Sequence, residues 1–344
     1  MRVAAAGAAF ALLLTACSSS SPVASEPREA TVTPVVTPTV PPPTATPTAT
    51  PTPAPTPTPT PTPPPKGLIT DTGVPVQILA PLLNSTIVMT PCGRVAEIVG
   101  GEPLHGIQVV LDPGHGGPID TGAVGPNGLV ERDLNLDLSF ATQAELEARG
   151  ITVALTRTAD YATILATRAA FADALGVDVL VSIHHNAPNA FASDVPGTEI
   201  FVQSDSPESR RLGEVLYETV FDALATIDGV AWTTAGDAGV LRVLNTEGGD
   251  AYGMIRRPTT PTALIELGYL SNASEAALFA TPEYIELAAI ALADGIEAYL
   301  QSTETGRGWV EEPRVFNPNR APGQDVCDDP PLDAEDLAEA AADE

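Results

Sequence analysis

The chain has 344 residues, and 44 acids against 16 bases give it a net charge of −28. Such a charge repels phosphate backbones and anionic headgroups, which excludes nucleic acid as a partner. Lys66 is the only lysine and no G-x-S-x-G turn is present, so the folded part also lacks Schiff-base, Ser-Lys and serine-elbow chemistry.

The N-terminus carries one charge, Arg2, ahead of an apolar run of about a dozen residues that ends in Leu14-Thr15-Ala16-Cys17. This pattern predicts a secretory signal peptide over 1–16, too short to span a bilayer and remain there. The L-T-A-C ending resembles the bacterial lipoprotein lipobox, which implies lipidation of Cys17 and a membrane contact through lipid alone. Of the 35 prolines, 17 fall between Pro22 and Pro65, so residues 17–65 read as a tether rather than a core. Alternating Pro favours polyproline II, which rises about 3.1 Å per residue and would hold the folded part on the order of 100 Å from its lipid.

Residues 66–104 contain short apolar segments between Pro and Gly, which predict two or three strands flanking the main domain. Residues 105–300 alternate strand and helix patterns. Gln108 to Asp112 is apolar and runs into Gly. Asp133 to Arg149 repeats Leu134, Leu138, Ala141 and Leu146 at helical spacing and stops at Gly150. A β-branched segment follows at 151–156, then a helix over 165–175 and a buried strand over 177–183. Further strands are expected at 199–202 and 262–266, with helices at 209–225 and 282–300. Uniformly apolar strands between helices mean one α/β layered domain, with a mostly parallel, mixed central sheet and helices on both faces. Acids dominate residues 301–344, read as a solvated tail. Outside the cytoplasm thiols oxidise, and Cys92 and Cys327 are the only cysteines after Cys17, which predicts a disulfide between the two flanks.

Polar residues with ligand chemistry stand where the apolar strands end. His115 lies in L-D-P-G-H-G-G, Glu131 in V-E-R-D-L-N-L, His184 and His185 in V-S-I-H-H-N-A, and Glu266 in L-I-E-L-G-Y-L-S-N. The carboxyl ends of strands in open α/β sheets form the ligand crevice. Two imidazoles and a carboxylate are a standard catalytic zinc set, and a second carboxylate near the reacting water is its general base. His184 and His185 alternate across the pleat, so only one can face a given site.

These segments, in this order, resemble the zinc-dependent N-acetylmuramoyl-L-alanine amidases (the type 3 amidase family). The likeness runs from about Gln108 to Leu300 and includes D-P-G-H-G-G-P-I-D-T-G-A-V-G, E-R-D-L-N-L, L-T-R-T-A-D, S-I-H-H-N-A, G-T-E-I-F and E-L-G-Y-L-S-N. It implies one zinc ion held by His115, Glu131 and His184, catalysis by Glu266, and a substrate-binding role for Arg256, five residues before Pro261. It also implies peptidoglycan as substrate and hydrolysis of the bond between N-acetylmuramic acid and L-alanine; with the signal peptide and lipobox, a monomer outside the cytoplasm facing the cell wall is expected. The same four residues would serve a zinc peptidase on another amide, and the fold alone would serve a non-catalytic peptidoglycan-binding lipoprotein. His185 and Asp173 depart from the family pattern, and the Gly-rich stretch from Thr233 to Tyr252 matches it poorly.

Overall fold

A computed structural model describes residues 63–187, 191–236, 238–318, 326–334 and 336–337. Cys17 and the stretches read as signal peptide and tether, up to residue 62, lie outside the described residues.

The N-terminal flank forms five strands, not two or three: β1 (Gly67–Ile69), β2 (Pro75–Pro81), β3 (Thr86–Met89), β4 (Val95–Ile98) and β5 (Glu102–Leu104). They make an antiparallel sheet in the order β4-β3-β2-β1-β5. Strands this short were hard to read because their turns interrupt the alternation every few residues. Their buried face is Leu68, Val74, Val76, Val88 and Ile98, and it closes only with Tyr161 and Leu332 lent by later parts of the chain.

Cys92 and Cys327 are bonded, with Cα atoms 5.5 Å apart across 235 residues of sequence. Asp329, two residues on, accepts hydrogen bonds from the Cys92 N–H at 2.7 Å, Thr90 Oγ1 at 2.9 Å and Arg94 Nη1 at 2.9 Å. The bond therefore joins a seam that is already hydrogen-bonded. Cys92→Ser,Cys327→Ser protein is expected to lose about 2–5 kcal/mol of unfolding free energy, read from urea melts. A melt unchanged from wild type would show that the seam holds without its covalent tie.

The main domain follows with β6 (Val109–Pro113), α1 (Glu131–Ala148), β7 (Val153–Leu155), α2 (Leu165–Leu175), β8 (Val179–Asn186), β9 (Phe191–Ser193) and β10 (Glu199–Val202). Next come α3 (Pro207–Leu224), β11 (Trp232–Thr234), β12 (Gly239–Leu241), β13 (Val243–Leu244), α4 (Gly253–Arg256), β14 (Thr262–Tyr269), α5 (Ala273–Phe279), α6 (Pro282–Gln301) and β15 (Arg314–Val315). The central sheet has the order β12-β10-β14-β8-β6-β7. Strands β7, β6, β8 and β14 are parallel, and β10 is antiparallel to β14, which makes the sheet mixed.

Both faces of this sheet are covered, which is why its strands read as continuous apolar runs. Val109, Leu111, Val179, Val181, Ile183 and Ile265 face α1, α3 and α6. Val110, Leu180, Phe201 and Leu264 face α2 and α4. Each fully buried Val, Leu or Ile contributes roughly 1.5–3 kcal/mol relative to exposure. The capping residues agree with the boundaries: Ser206 accepts from Ser209 N, Asn272 from Ser274 N and Glu275 N, and Thr281 from Tyr284 N.

Part of the acidic tail is not solvated. Residues 308–316 return across the domain, with Val240 N donating to Gly308 O, Val310 N to Val240 O, Arg314 N to Arg242 O and Phe316 N to Leu244 O. Strand β15 pairs in parallel with β13. The apolar residues Trp309, Val310 and Phe316 in an otherwise acidic stretch carry this docking, and net charge masked them.

Candidate metal centre and active site

Strand parity builds the site. Asp112, Ser182, His184, Glu199 and Glu266 share the α2 face with Val110, Leu180, Phe201 and Leu264, and several of them stand at carboxyl ends of parallel strands. His115 follows β6 directly, in a backbone conformation with φ 64° that few non-glycine residues adopt. Its neighbour Gly114 packs against the His184 ring so tightly that a Cβ there would overlap the imidazole. Gly122 has φ 66°, and a Cβ on it would sit 2.5 Å from Glu131 Oε2 and 2.7 Å from the His115 ring. Glycine at these positions lets two loops close on the site.

Glu131 opens α1. No side chain caps this helix; its first N–H groups donate instead to Ala123 O at 2.9 Å and Thr121 O at 3.2 Å, which ties the 121–123 loop to the helix start. Ala123 N in return donates to Glu131 Oε2 at 2.8 Å. That leaves Glu131 Oε1 facing His115 Nε2 and His184 Nδ1, each at 3.1 Å. One donor atom from each of the three residues lies within 4.8 Å of the others.

This arrangement fits a zinc ion. A tetrahedral ion with bonds near 2.0–2.1 Å separates its ligand atoms by roughly 3.3 Å, close to the 3.1 Å between Glu131 Oε1 and each ring nitrogen. The far nitrogen of His115, Nδ1, is bonded to Asp120 Oδ1 at 2.6 Å, which fixes the ring and leaves Nε2 for the centre. Electrostatics agree. Burial opposes charging the His115 ring, but the Glu131 and Asp120 carboxylates push it up to about 10. The pocket therefore demands positive charge where an ion would sit. Burial acts on Glu131 too, yet His115 and His184 hold it well below the ordinary carboxylate range.

Glu266 lines the same cavity, of about 440 Å³, together with His115, His184 and Asp120. Its walls include the apolar residues Leu165, Met254, Leu264 and Pro318. The Glu266 Oε2 atom is buried and has no hydrogen-bond partner among the described residues. Burial, then the Glu131 and Glu199 carboxylates, push this carboxyl well above its ordinary value. The cavity thus sets three converging donors beside a carboxyl that has no hydrogen-bond partner among the described residues.

Residues 109–298 match the family described as N-acetylmuramoyl-L-alanine amidase. The chain belongs to that family. The uncharacterized protein YqiI of Bacillus subtilis is 36% identical over 220 residues, covering 63% of this chain and 94% of YqiI. The N-acetylmuramoyl-L-alanine amidase AmiC of Neisseria meningitidis is 28% identical over 278 residues, covering 71% of this chain and 66% of AmiC. Among solved structures, Cwp6 from Clostridium difficile is 26% identical with a TM-score of 0.50, over 57% of this chain and 30% of Cwp6.

In this amidase two buried arginines hold the loop that carries His115. Arg168 donates to Asp112 Oδ1 at 2.8 Å, Pro113 O at 2.7 Å, Thr163 O at 2.8 Å and His115 O at 2.6 Å. Arg157 donates to Pro113 O and Gly114 O, both at 3.0 Å, and to Arg132 O at 2.6 Å. Asp112 also accepts from Thr156 and Ser182, and these partners with Arg168 hold it below its ordinary value although burial opposes them. Arg157 stands in L-T-R-T-A-D, a segment noted for resemblance alone; nothing in a single arginine's sequence neighbours says that it will be buried.

His185 faces the other side of the sheet, as its parity requires. It bonds Asn135 Oδ1 at 2.8 Å and the Tyr284 hydroxyl at 2.6 Å, and burial pushes it down to about 3, so it stays neutral. Asn135 reaches Glu131 Oε1 at 3.3 Å, so this departure from the family pattern buttresses the cluster from behind. Asp173, the other departure, accepts from Thr259 N and Thr260 N, each at 3.0 Å, in the loop before β14.

Arg256 is not among the residues that line the Glu266 cavity. It ends α4, donates to Ala251 O at 2.5 Å, and lines a separate cavity with Gln203, Asp205 and Asp250. Of the Thr233 to Tyr252 stretch, β12 extends the central sheet at its edge, and Tyr252 is the described residue that reaches the cavity.

Proposed function

We propose that this amidase frees the stem peptide of peptidoglycan by hydrolysing the amide between the lactyl group of N-acetylmuramic acid and L-alanine, with one zinc ion held by His115, Glu131 and His184. When bound, zinc supplies Lewis acidity toward the amide carbonyl and toward water. Glu266 accepts the proton of the attacking water and passes it to the departing L-alanine nitrogen. Asp120 keeps the proton on His115 Nδ1, and Ala123 N keeps Glu131 turned so that Oε1 faces the cluster. The apolar walls reduce the water that competes around Glu266. The buried, unpartnered Glu266 Oε2 beside the three donors is the observation that carries this reading.

Zinc-dependent release of peptides with N-terminal L-alanine from purified sacculi is the test. Release of other new amino termini would favour a peptidase, and binding without release would favour a non-catalytic role. Elemental analysis tests the ligands separately. His184→Ala protein is expected to lose its zinc and His185→Ala to keep it, because only His184 faces the cluster; zinc loss confined to His185→Ala would reverse the pair.

Family members act on cell-wall peptidoglycan, so the folded part works outside the cytoplasm. We further propose that lipid on Cys17 anchors a monomer and that residues 17–65 let it search nearby wall. Wild-type protein from its host is expected in the detergent phase, and Cys17→Ser protein is expected released or unprocessed. Freely soluble, unacylated wild-type protein would remove the anchor.

A further inference from the structure

The family match ends at residue 298, so β15 and its flanks lie beyond the matched residues, as an addition to the matched region. The addition ends at the catalytic rim. Arg314 sets both guanidinium nitrogens on Glu199, Nη2 to Oε1 at 2.7 Å and Nη1 to Oε2 at 3.1 Å. Glu199 is fully buried and stands opposite Glu266 in the β10–β14 ladder, so Arg314 balances the carboxylate next to the catalytic one. Asn186 Nδ2 and the Tyr269 hydroxyl complete the same carboxylate's contacts at 3.0 and 3.3 Å.

Two more side chains of this segment meet the site. The Phe316 ring lies 6.2 Å from that of Tyr252, which in turn stacks on Phe201 at 4.8 Å. Pro318 lines the main cavity beside Glu266. Tyr252 borders both that cavity and a smaller one of about 160 Å³, whose walls include Asn186, Glu199, Tyr269, Arg314 and Phe316. Two limbs, the Glu266 cavity and the smaller one, thus meet at Tyr252, and Arg314 and Phe316 of the C-terminal segment wall the smaller.

We infer that the segment from Arg314 to Pro318 is a wall of the substrate cleft, with Arg314 as the positioning residue that locks it against Glu199. The inference rests on the amidase reading, in which the scissile amide carries an extended group on each side and needs two limbs. The bidentate fork holds the strand in one register, which a single-point ammonium would not do. A substrate group seated in the smaller limb then touches Phe316 and the Arg314–Glu199 pair directly.

The test is steady-state kinetics of the full chain on a soluble muropeptide, with zinc content measured in each variant. Arg314→Gln and Phe316→Ala are each expected to raise KM about tenfold, roughly 1.4 kcal/mol, with a smaller fall in kcat. Arg314→Lys should recover part of the loss. A purely structural strand would lower kcat by reducing the active fraction and leave KM unchanged, which would overturn the inference. If the variants fail to fold, hydrogen exchange on wild-type protein decides: muropeptide should protect amides in 309–318, and unchanged exchange there refutes the wall. A wild-type protein that releases no L-alanine terminus would instead refute the amidase reading.

Discussion

Glu266→Gln protein is expected to keep its zinc and lose nearly all amide hydrolysis. Gln matches Glu in size, so the cavity and the three-donor cluster stay as they are. What changes is that an amide cannot accept the proton of water. General acid–base groups contribute typically 10²–10⁴-fold, so kcat should fall by about that factor while zinc measured by elemental analysis remains stoichiometric. The change should also be clean structurally, because Oε2 has no hydrogen-bond partner to lose among the described residues. Near-normal turnover in purified, zinc-loaded variant would remove Glu266 from its role and leave the cluster without a base.

The second large effect is expected away from the cluster. Arg168→Met should strip Asp112 of its charged partner, leave the Thr163 and His115 carbonyls without their guanidinium donor, and leave Pro113 O to Arg157 alone. Breaking a buried ion pair by removing one partner costs about 3–5 kcal/mol, because the remaining charge stays buried. The loss should appear as a lower urea midpoint. Zinc affinity should fall with it, by roughly 10–100-fold, since the loop that holds His115 at φ 64° would lose a clamp. Lys is not expected to rescue, because one ammonium cannot reach acceptors spread around a planar fork. Wild-type stability with wild-type zinc affinity would show that Arg157 holds the loop unaided.

Much of the site was legible because its chemistry is local to strand ends. A His or Glu set in or just past an apolar run marks both the strand and the polar residue, as with His184 in β8, Glu266 in β14 and His115 two residues past β6. The alternation of His184 and His185 across the pleat was equally plain. Choosing between them by parity required knowing which face of β8 meets α2, and only the packed sheet supplies that. Asp120 sits in a quoted segment, but its contact with His115 depends on a turn through Gly116 and Gly117. Arg168 lies inside a helix that reads as ordinary, and its value comes from a strand 56 residues earlier.

By itself the sequence determined the layered α/β domain, the order of its main strands and helices, and the pairing of Cys92 with Cys327. These follow from hydrophobic periodicity and from counting, which act over a few residues or on the whole chain. Tertiary structure alone decided the five-stranded flank, the absence of Arg256 from the lining of the Glu266 cavity, and the return of β15 to the rim. Those depend on contacts between distant segments: Tyr161 and Leu332 closing a small core, Asp250 and Gln203 bordering the Arg256 cavity, and Arg314 meeting Glu199 across 115 residues. A short strand in an acidic stretch has no periodicity to show. It docks through Trp309, Val310 and Phe316 and through Arg314 on the buried Glu199, and those partners exist only once the sheet is built.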